Sequence, residues 1–165
     1  MADFVATERS SYKKWSKEIL RYSDLDPVGH VNNNAYGQLV ENARTLLFDD
    51  VQKTSGLNNK ELQTKDWVIR RLEFDFLKEL RYPGEVDVGI AVTRFGNSSM
   101  IVHHGVFSKD YCAATAMGVS VYFDLSKRAS TTIPRAIKEA MKNLAGPALL
   151  LIHSIYGCFE WGPVA

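Results

Sequence analysis

The segment from about Asn34 to Lys53 constrains the fold most. Tyr36, Leu39, Val40, Ala43, Leu47 and Val51 recur at steps of three and four. That spacing predicts one amphipathic helix with a continuous apolar stripe, and Leu46 and Phe48 widen it. A helix this apolar must be covered, and one helix cannot cover itself. Its start is marked by Asp26-Pro27-Val28-Gly29-His30-Val31-Asn32-Asn33-Asn34. Pro27 and Gly29 forbid a regular element there, and a short amide oxygen from the Asn cluster suits a helix N-cap. Gly56 ends the helix, and a polar loop follows through Lys65.

The cover comes from strands. Trp15 to Tyr22 predicts a first strand ahead of the helix. Trp67 to Leu77 alternates in polarity, and so do Val86, Val88, Ile90 and Val92 through Phe95. Pro83-Gly84 is a turn signal, and Gly96-Asn97 suits a tight hairpin. Met100 to Phe107 and Cys112 to Phe123 complete four strands in an antiparallel meander, the last two joined at Lys109-Asp110. Pro134 opens a short final helix through Leu144. The expectation is an α+β domain with a curved sheet wrapped around one long helix. These patterns leave the strand order open.

The chain has 165 residues, enough for one core; a domain of about 150 residues buries roughly 70% of its unfolded surface. Residues 1–14 read as a loose N-terminal segment, 15–144 as the domain, and 145–165 as an apolar extension beginning with a Gly-Pro helix break. Lys and Arg total 20 against 19 Asp and Glu. That balance argues against general nucleic-acid binding, which shows a basic excess. Two scattered cysteines, Cys112 and Cys158, make neither a disulfide framework nor a zinc site, and a reduced, cytoplasmic setting is expected. The N-terminus has no apolar h-region. The run from Pro147 to Ile152 is far short of a membrane span.

Chemistry concentrates before the long helix. Asp24-Leu25-Asp26-Pro27-Val28-Gly29-His30-Val31-Asn32-Asn33, with Tyr36, Glu41 and Arg44 following, resembles the hotdog-fold thioesterases of the 4-hydroxybenzoyl-CoA thioesterase type. The resemblance covers roughly Trp15 to Asn143. It implies hydrolysis of an acyl-CoA thioester, with Asp26 as the carboxylate, acting as general base or as nucleophile. It places the oxyanion donor at a backbone N–H near Asn33, where free N–H groups and the positive end of the helix dipole favour a developing negative oxygen. His30 joins them, to bind substrate, polarise the carbonyl or assist a proton transfer, or to make a loop hydrogen bond. Asp24, Gly29, Asn32 and Tyr36 are the remaining candidate site residues. Their simplest roles are loop ordering for Asp24, backbone freedom or close approach for Gly29, a cap for Asn32 and core for Tyr36, its hydroxyl on the acyl pocket.

The resemblance implies no cofactor and no metal. It implies a homodimer, or a homotetramer of two such dimers, with Trp67 to Phe76 and Ser98 to Val102 contributing to an acyl tunnel between subunits. An acyl-carrier-protein thioesterase and a non-catalytic acyl-CoA-binding protein are the alternatives. A hotdog hydratase is disfavoured, because its acid and histidine lie five apart rather than the four separating Asp26 and His30. Glu41 and Arg44 read as an ordinary ion pair at the surface or at an interface. His103 and His104 are adjacent on a strand and point to opposite faces, which argues against a two-histidine metal site. Cys112 reads as structural. Arg70, Arg71, Arg94 and Lys127-Arg128 are basic groups that could meet CoA phosphates, and none is assigned.

Overall fold

The computed structural model describes residues 4–58, 62–109 and 111–146. The expected helix is α1, Asn33–Thr54, flanked by β1, Lys14–Ile19, and β2, Lys65–Phe76. Then come β3, Glu85–Phe95, β4, Ser99–Phe107, β5, Cys112–Asp124, a two-residue β6, Ala129–Ser130, and α2, Arg135–Ala145. All strands pair antiparallel in one sheet. The domain is α+β, a curled sheet against one long helix, as the patterns predicted. The junction at Asp110 and the extension from Pro147 onward lie outside the described residues.

The strand order corrects the meander. The order is β1-β3-β4-β5-β2, with β6 paired to β5. Only β3, β4 and β5 form a meander; β2 lies at the far edge, beside β5 and away from β3. The cause is the connection from Leu77 to Gly84, which is too long for a hairpin. Its start is tied to the β5 edge, where Leu77 and Lys78 donate to the Ala113 carbonyl at 2.8 and 3.0 Å. Its end is tied to β1, where Leu20 donates to the Gly84 carbonyl at 2.9 Å. The chain therefore crosses the end of the sheet before β3 begins. Midway, Val31 donates to the Leu80 carbonyl at 2.9 Å, which joins this crossing to the loop before α1.

The inner face of the sheet carries the main core. Val88, Ile90, Val92, Met100, Val102 and Val106 meet Leu39, Val40, Ala43, Leu47 and Val51 of α1. Ile137 and Met141 of α2 close one side. Each fully buried aliphatic side chain contributes about 1.5–3 kcal/mol, so this face dominates stability. Two helix positions depart from expectation. Leu46 does not widen the stripe; it is 45% exposed. Arg44 is buried on the inner side and has no carboxylate within ion-pair distance among the described residues, so the expected pair with Glu41 does not form. The Arg44 Nη1 and both ring nitrogens of His104 lack hydrogen-bond partners among the described residues. Burial and the nearby Arg44 charge hold the His104 imidazole down to about 3, so it is neutral.

The outer face carries a second cluster, and the N-terminal segment belongs to it. Tyr12, Phe107 and Ala91 are buried there, with Phe4, Trp15 and Cys112 against them. Phe4 meets Tyr12 edge-on and His103 at a tilt, confirming that His103 and His104 face opposite ways. Arg9 lies over Trp15, 4.7 Å from the ring centroid. Residues 4–12, expected as part of a loose end, are thus held by aromatic contacts that periodicity does not register. The seat is made by two glycines directly opposite each other, Gly89 and Gly105. A Cβ on Gly89 would stand 2.6 Å from Tyr12 Cγ.

Gly89→Ala should therefore lower stability by roughly 1–3 kcal/mol in urea denaturation at fixed protein concentration. Gly37→Ala, on α1 with nothing within 4 Å of the new Cβ, should instead raise it by roughly 0.5–1 kcal/mol. Equal stability of the Gly89→Ala variant and the parent would mean that Tyr12 does not hold this seat in solution.

Candidate active site

The loop between β1 and α1 is closed by its own backbone. A short turn at Tyr22–Asp24 leads into it. Asp24 is 5% exposed, and its carboxylate accepts the Arg21 backbone N–H at 2.8 Å and faces the Arg21 guanidinium. Its carbonyl accepts from Asn32 N–H at 2.8 Å. Inside that closure, Asp26 N–H donates to the His30 carbonyl at 2.8 Å, and Gly29 N–H donates to the Asp26 carbonyl at 3.1 Å. Gly29 has φ +83 and nothing within 4 Å of a built Cβ. It supplies backbone freedom, and no described atom approaches it closely.

Asp26 sits at the waist of this loop. One carboxylate oxygen, Oδ1, accepts the N–H groups of Val28 and His30, both at 3.0 Å. The other oxygen has no protein partner among the described residues. The arrangement anchors the group through one oxygen and leaves its second lone-pair set available. Helix α1 starts a few residues on. Asn32 is its N-cap, and Asn32 Oδ1 accepts the Asn34 N–H at 2.9 Å. Asn33 is the first helical residue and is exposed. Its N–H is among the donors that a helix start leaves without an intrahelical acceptor, and no protein partner takes it among the described residues. The helix dipole adds partial positive charge there.

Tyr36, one turn in, is core. Its ring meets Phe76 edge-on at 5.2 Å, and its hydroxyl points to the Lys78 carbonyl at 3.5 Å. Burial pushes the phenol up to about 12, so it stays protonated. Asp26, His30 and Asn33 thus share one loop and helix start. Asp24 braces that loop, Tyr36 packs against Phe76, and Asn32 caps the helix.

The loop also meets residues that the sequence reading missed. His30 Nε2 lies 2.8 Å from Glu79 Oε2 and 3.2 Å from Arg81 Nη2. Arg81 Nε donates to Glu79 Oε1 at 2.8 Å. The Arg81 guanidinium, with a smaller contribution from His30, lowers the Glu79 carboxyl below the usual range. Tyr111 Oη donates to the Glu79 carbonyl at 2.8 Å. Arg81 is 51 positions from His30, and only the crossing connection brings them together. Without the strand order, no local spacing signals this contact.

The remaining candidates lie elsewhere. Arg71 pairs with Glu73 on β2, and Arg128 lies over Phe123. Cys112 Sγ donates to the Ala114 carbonyl at 3.3 Å, and burial raises its thiol, consistent with a structural cysteine. Among the described residues, no group of three or more His, Cys, Asp or Glu could hold a metal ion, and no helix is long and apolar enough to cross a membrane.

The Asp26 geometry separates structure from charge. An amide oxygen can accept the same two N–H groups, so Asp26→Asn should stay within about 1 kcal/mol of the parent. Asp26→Ala leaves both donors without their acceptor and should lose about 1–2 kcal/mol. Thermal and urea unfolding of the two variants measure this; equal losses would mean the two bonds do not order the loop.

Comparison with known proteins fits this architecture. The model of the Thioesterase-like superfamily matches residues 20–141. A crystal structure of a protein from Pseudomonas aeruginosa superposes with a TM-score of 0.73 at 23% identity, covering 86% of this chain and 97% of that one. A predicted thioesterase from Bacillus stearothermophilus gives 0.70 at 25% identity, covering 82% and 98%. A thioesterase from Thermus thermophilus, solved with coenzyme A and Zn, gives 0.67 at 28% identity, covering 84% and 98%. No curated protein matches the chain. The fold is the hotdog-like thioesterase fold. The family match runs from the end of β1 into α2 and takes in the whole of this site, and the chain belongs to the Thioesterase-like superfamily.

Proposed function

We propose that the protein hydrolyses an acyl-CoA thioester to the free carboxylic acid and CoA. One observation carries the reading. Asp26 is anchored through one carboxylate oxygen, leaves the other without a protein partner among the described residues, and stands on the loop that leads into the exposed start of α1. A thioester carbonyl held there would meet a carboxylate and an N–H donor together. In this reading Asp26 either takes a proton from water, which attacks the carbonyl and expels the CoA thiolate, or itself attacks the carbonyl and expels the thiolate, leaving an anhydride that water hydrolyses. The Asn33 N–H stabilises the oxyanion. The coenzyme A bound by the Thermus thermophilus relative favours CoA over a carrier protein as the handle. A cytoplasmic setting goes with such a substrate.

The reading includes a homodimer. β2 is twelve residues long and, among the described residues, pairs on one side only, with β5. Val68, Ile69 and Phe76 are exposed along it, and Leu77 just after it. A long edge that exposes apolar side chains is a template for another strand. The opposite edge, β1, is half that length and offers a shorter template. Two β2 edges meeting across a two-fold axis would extend the sheet and bring a partner's strand towards each site; a homotetramer of two such dimers is also within the reading.

Free-thiol release from acetyl-, short-chain, long-chain and aromatic acyl-CoAs tests the activity. Turnover should fall at least roughly 100-fold in both Asp26→Ala and Asp26→Asn, the scale of a positioned acid–base group. Unchanged turnover in these variants would remove Asp26 from the chemistry. No turnover on any CoA ester, with acyl-CoA still bound, would favour a binding role. Sedimentation equilibrium of the same preparation should give at least a dimer; a monomer at micromolar concentration would overturn the assembly.

A further inference from the structure

His30 Nε2 faces two opposite charges, the Glu79 carboxylate at 2.8 Å and the Arg81 guanidinium at 3.2 Å. One ring nitrogen of a neutral imidazole either donates or accepts, never both. The nearer neighbour is the carboxylate. Arg81 already donates from Nε to the other oxygen of the same carboxylate, so its main partner is Glu79. Glu79 is exposed, but its backbone is fixed. Tyr111 holds its carbonyl, Val31 N–H holds the carbonyl of Leu80, and Leu80 itself is buried. The His30 backbone is fixed as well, because its N–H donates to Asp26 Oδ1. Two braced backbones therefore present the ring and the carboxylate to each other.

We propose that Glu79, clamped by Arg81, is a positioning residue that fixes His30 as the Nε2–H tautomer and leaves Nδ1 as an acceptor. This inference rests on the site proposed above and assigns His30 one of its open roles. An imidazole whose only N–H is held by Glu79 has no donor left for a carbonyl oxygen. It can accept an O–H through Nδ1 and so orient a water molecule. His30 then serves water, and the α1 backbone serves the oxyanion.

The ring state is read directly by long-range proton–nitrogen NMR of the imidazole in the full chain, at a pH near 8, with His30 assigned by its loss in His30→Gln. The parent should show the Nε2–H tautomer. Glu79→Gln, whose amide oxygen still accepts, should keep it. Glu79→Ala should lose it, because the Arg81 guanidinium is then the remaining partner and donates to Nε2. In thiol-release assays Glu79→Ala should lower kcat roughly tenfold with KM little changed, a fraction of what a positioned acid–base group contributes. Glu79→Gln should recover part of that loss. In a His30→Ala background, Glu79→Ala should cost less than about twofold more, since its effect runs through the ring. An Nδ1–H or doubly protonated His30 in the parent would overturn the proposal. So would a full Glu79→Ala loss that persists without His30. The NMR result stands whether or not any thioester is turned over, so failure of the thioesterase reading and failure of this one are distinguishable.

Discussion

The apolar stripe of α1 needs a sheet to lie against, and its burial sets the conditions for everything else. Val40, Ala43 and Leu47 are wholly withdrawn from solvent, which only a curled surface larger than a hairpin can achieve. Three sequential strands supply the centre, and β1 and β2 must join at the edges to complete it. Placing β2 beside β5 obliges the chain to return across the end of the sheet. That return passes the start of α1 and is bonded to it through Val31 and Leu80. The candidate site therefore lies where the cover of the helix closes on the helix's own beginning.

Much of this was legible in the residues. The limits of α1 agree with its periodicity to within a residue at either end, because Asn32 chemistry and a Gly56 in the left-handed region punctuate it. The strands from β3 to β5 follow from alternation, since one face is buried and the other is covered or wet. β2 was legible as a strand and not in its place, because pairing partners depend on how a connection is tied down. The N-terminal segment escaped notice because Phe4, Arg9 and Tyr12 are spaced for contact with a surface, not for a period. Arg44 was misplaced for a related reason. A cation three residues from Glu41 looks like half of a pair, yet its position on the stripe turns it inward, towards His104.

The site was legible in part. Asp26, His30 and Asn33 lie close in the chain, so their proximity in space is a local matter of one turn and one cap. The loop closes on itself through Asp24, Asp26 and Asn32, all residues whose short polar side chains favour such turns. Glu79 and Arg81 belong to the same locality only after folding. Their contribution is electrostatic and directional, and it depends on a crossing that no pattern of polarity encodes.

The glycine pair on the outer face has a consequence for how copies of this molecule can meet. Because Gly89 and Gly105 receive Tyr12, the chain upholsters the back of its own sheet with residues 4–12. A second layer approaching β3 and β4 from that side would not find bare strands. It would meet Glu8 and Arg9, both exposed, with Arg9 already paired to Asp87. The recognition surface on that side is thus written by residues 4–12, and a change in them can alter which neighbours the back of the sheet admits.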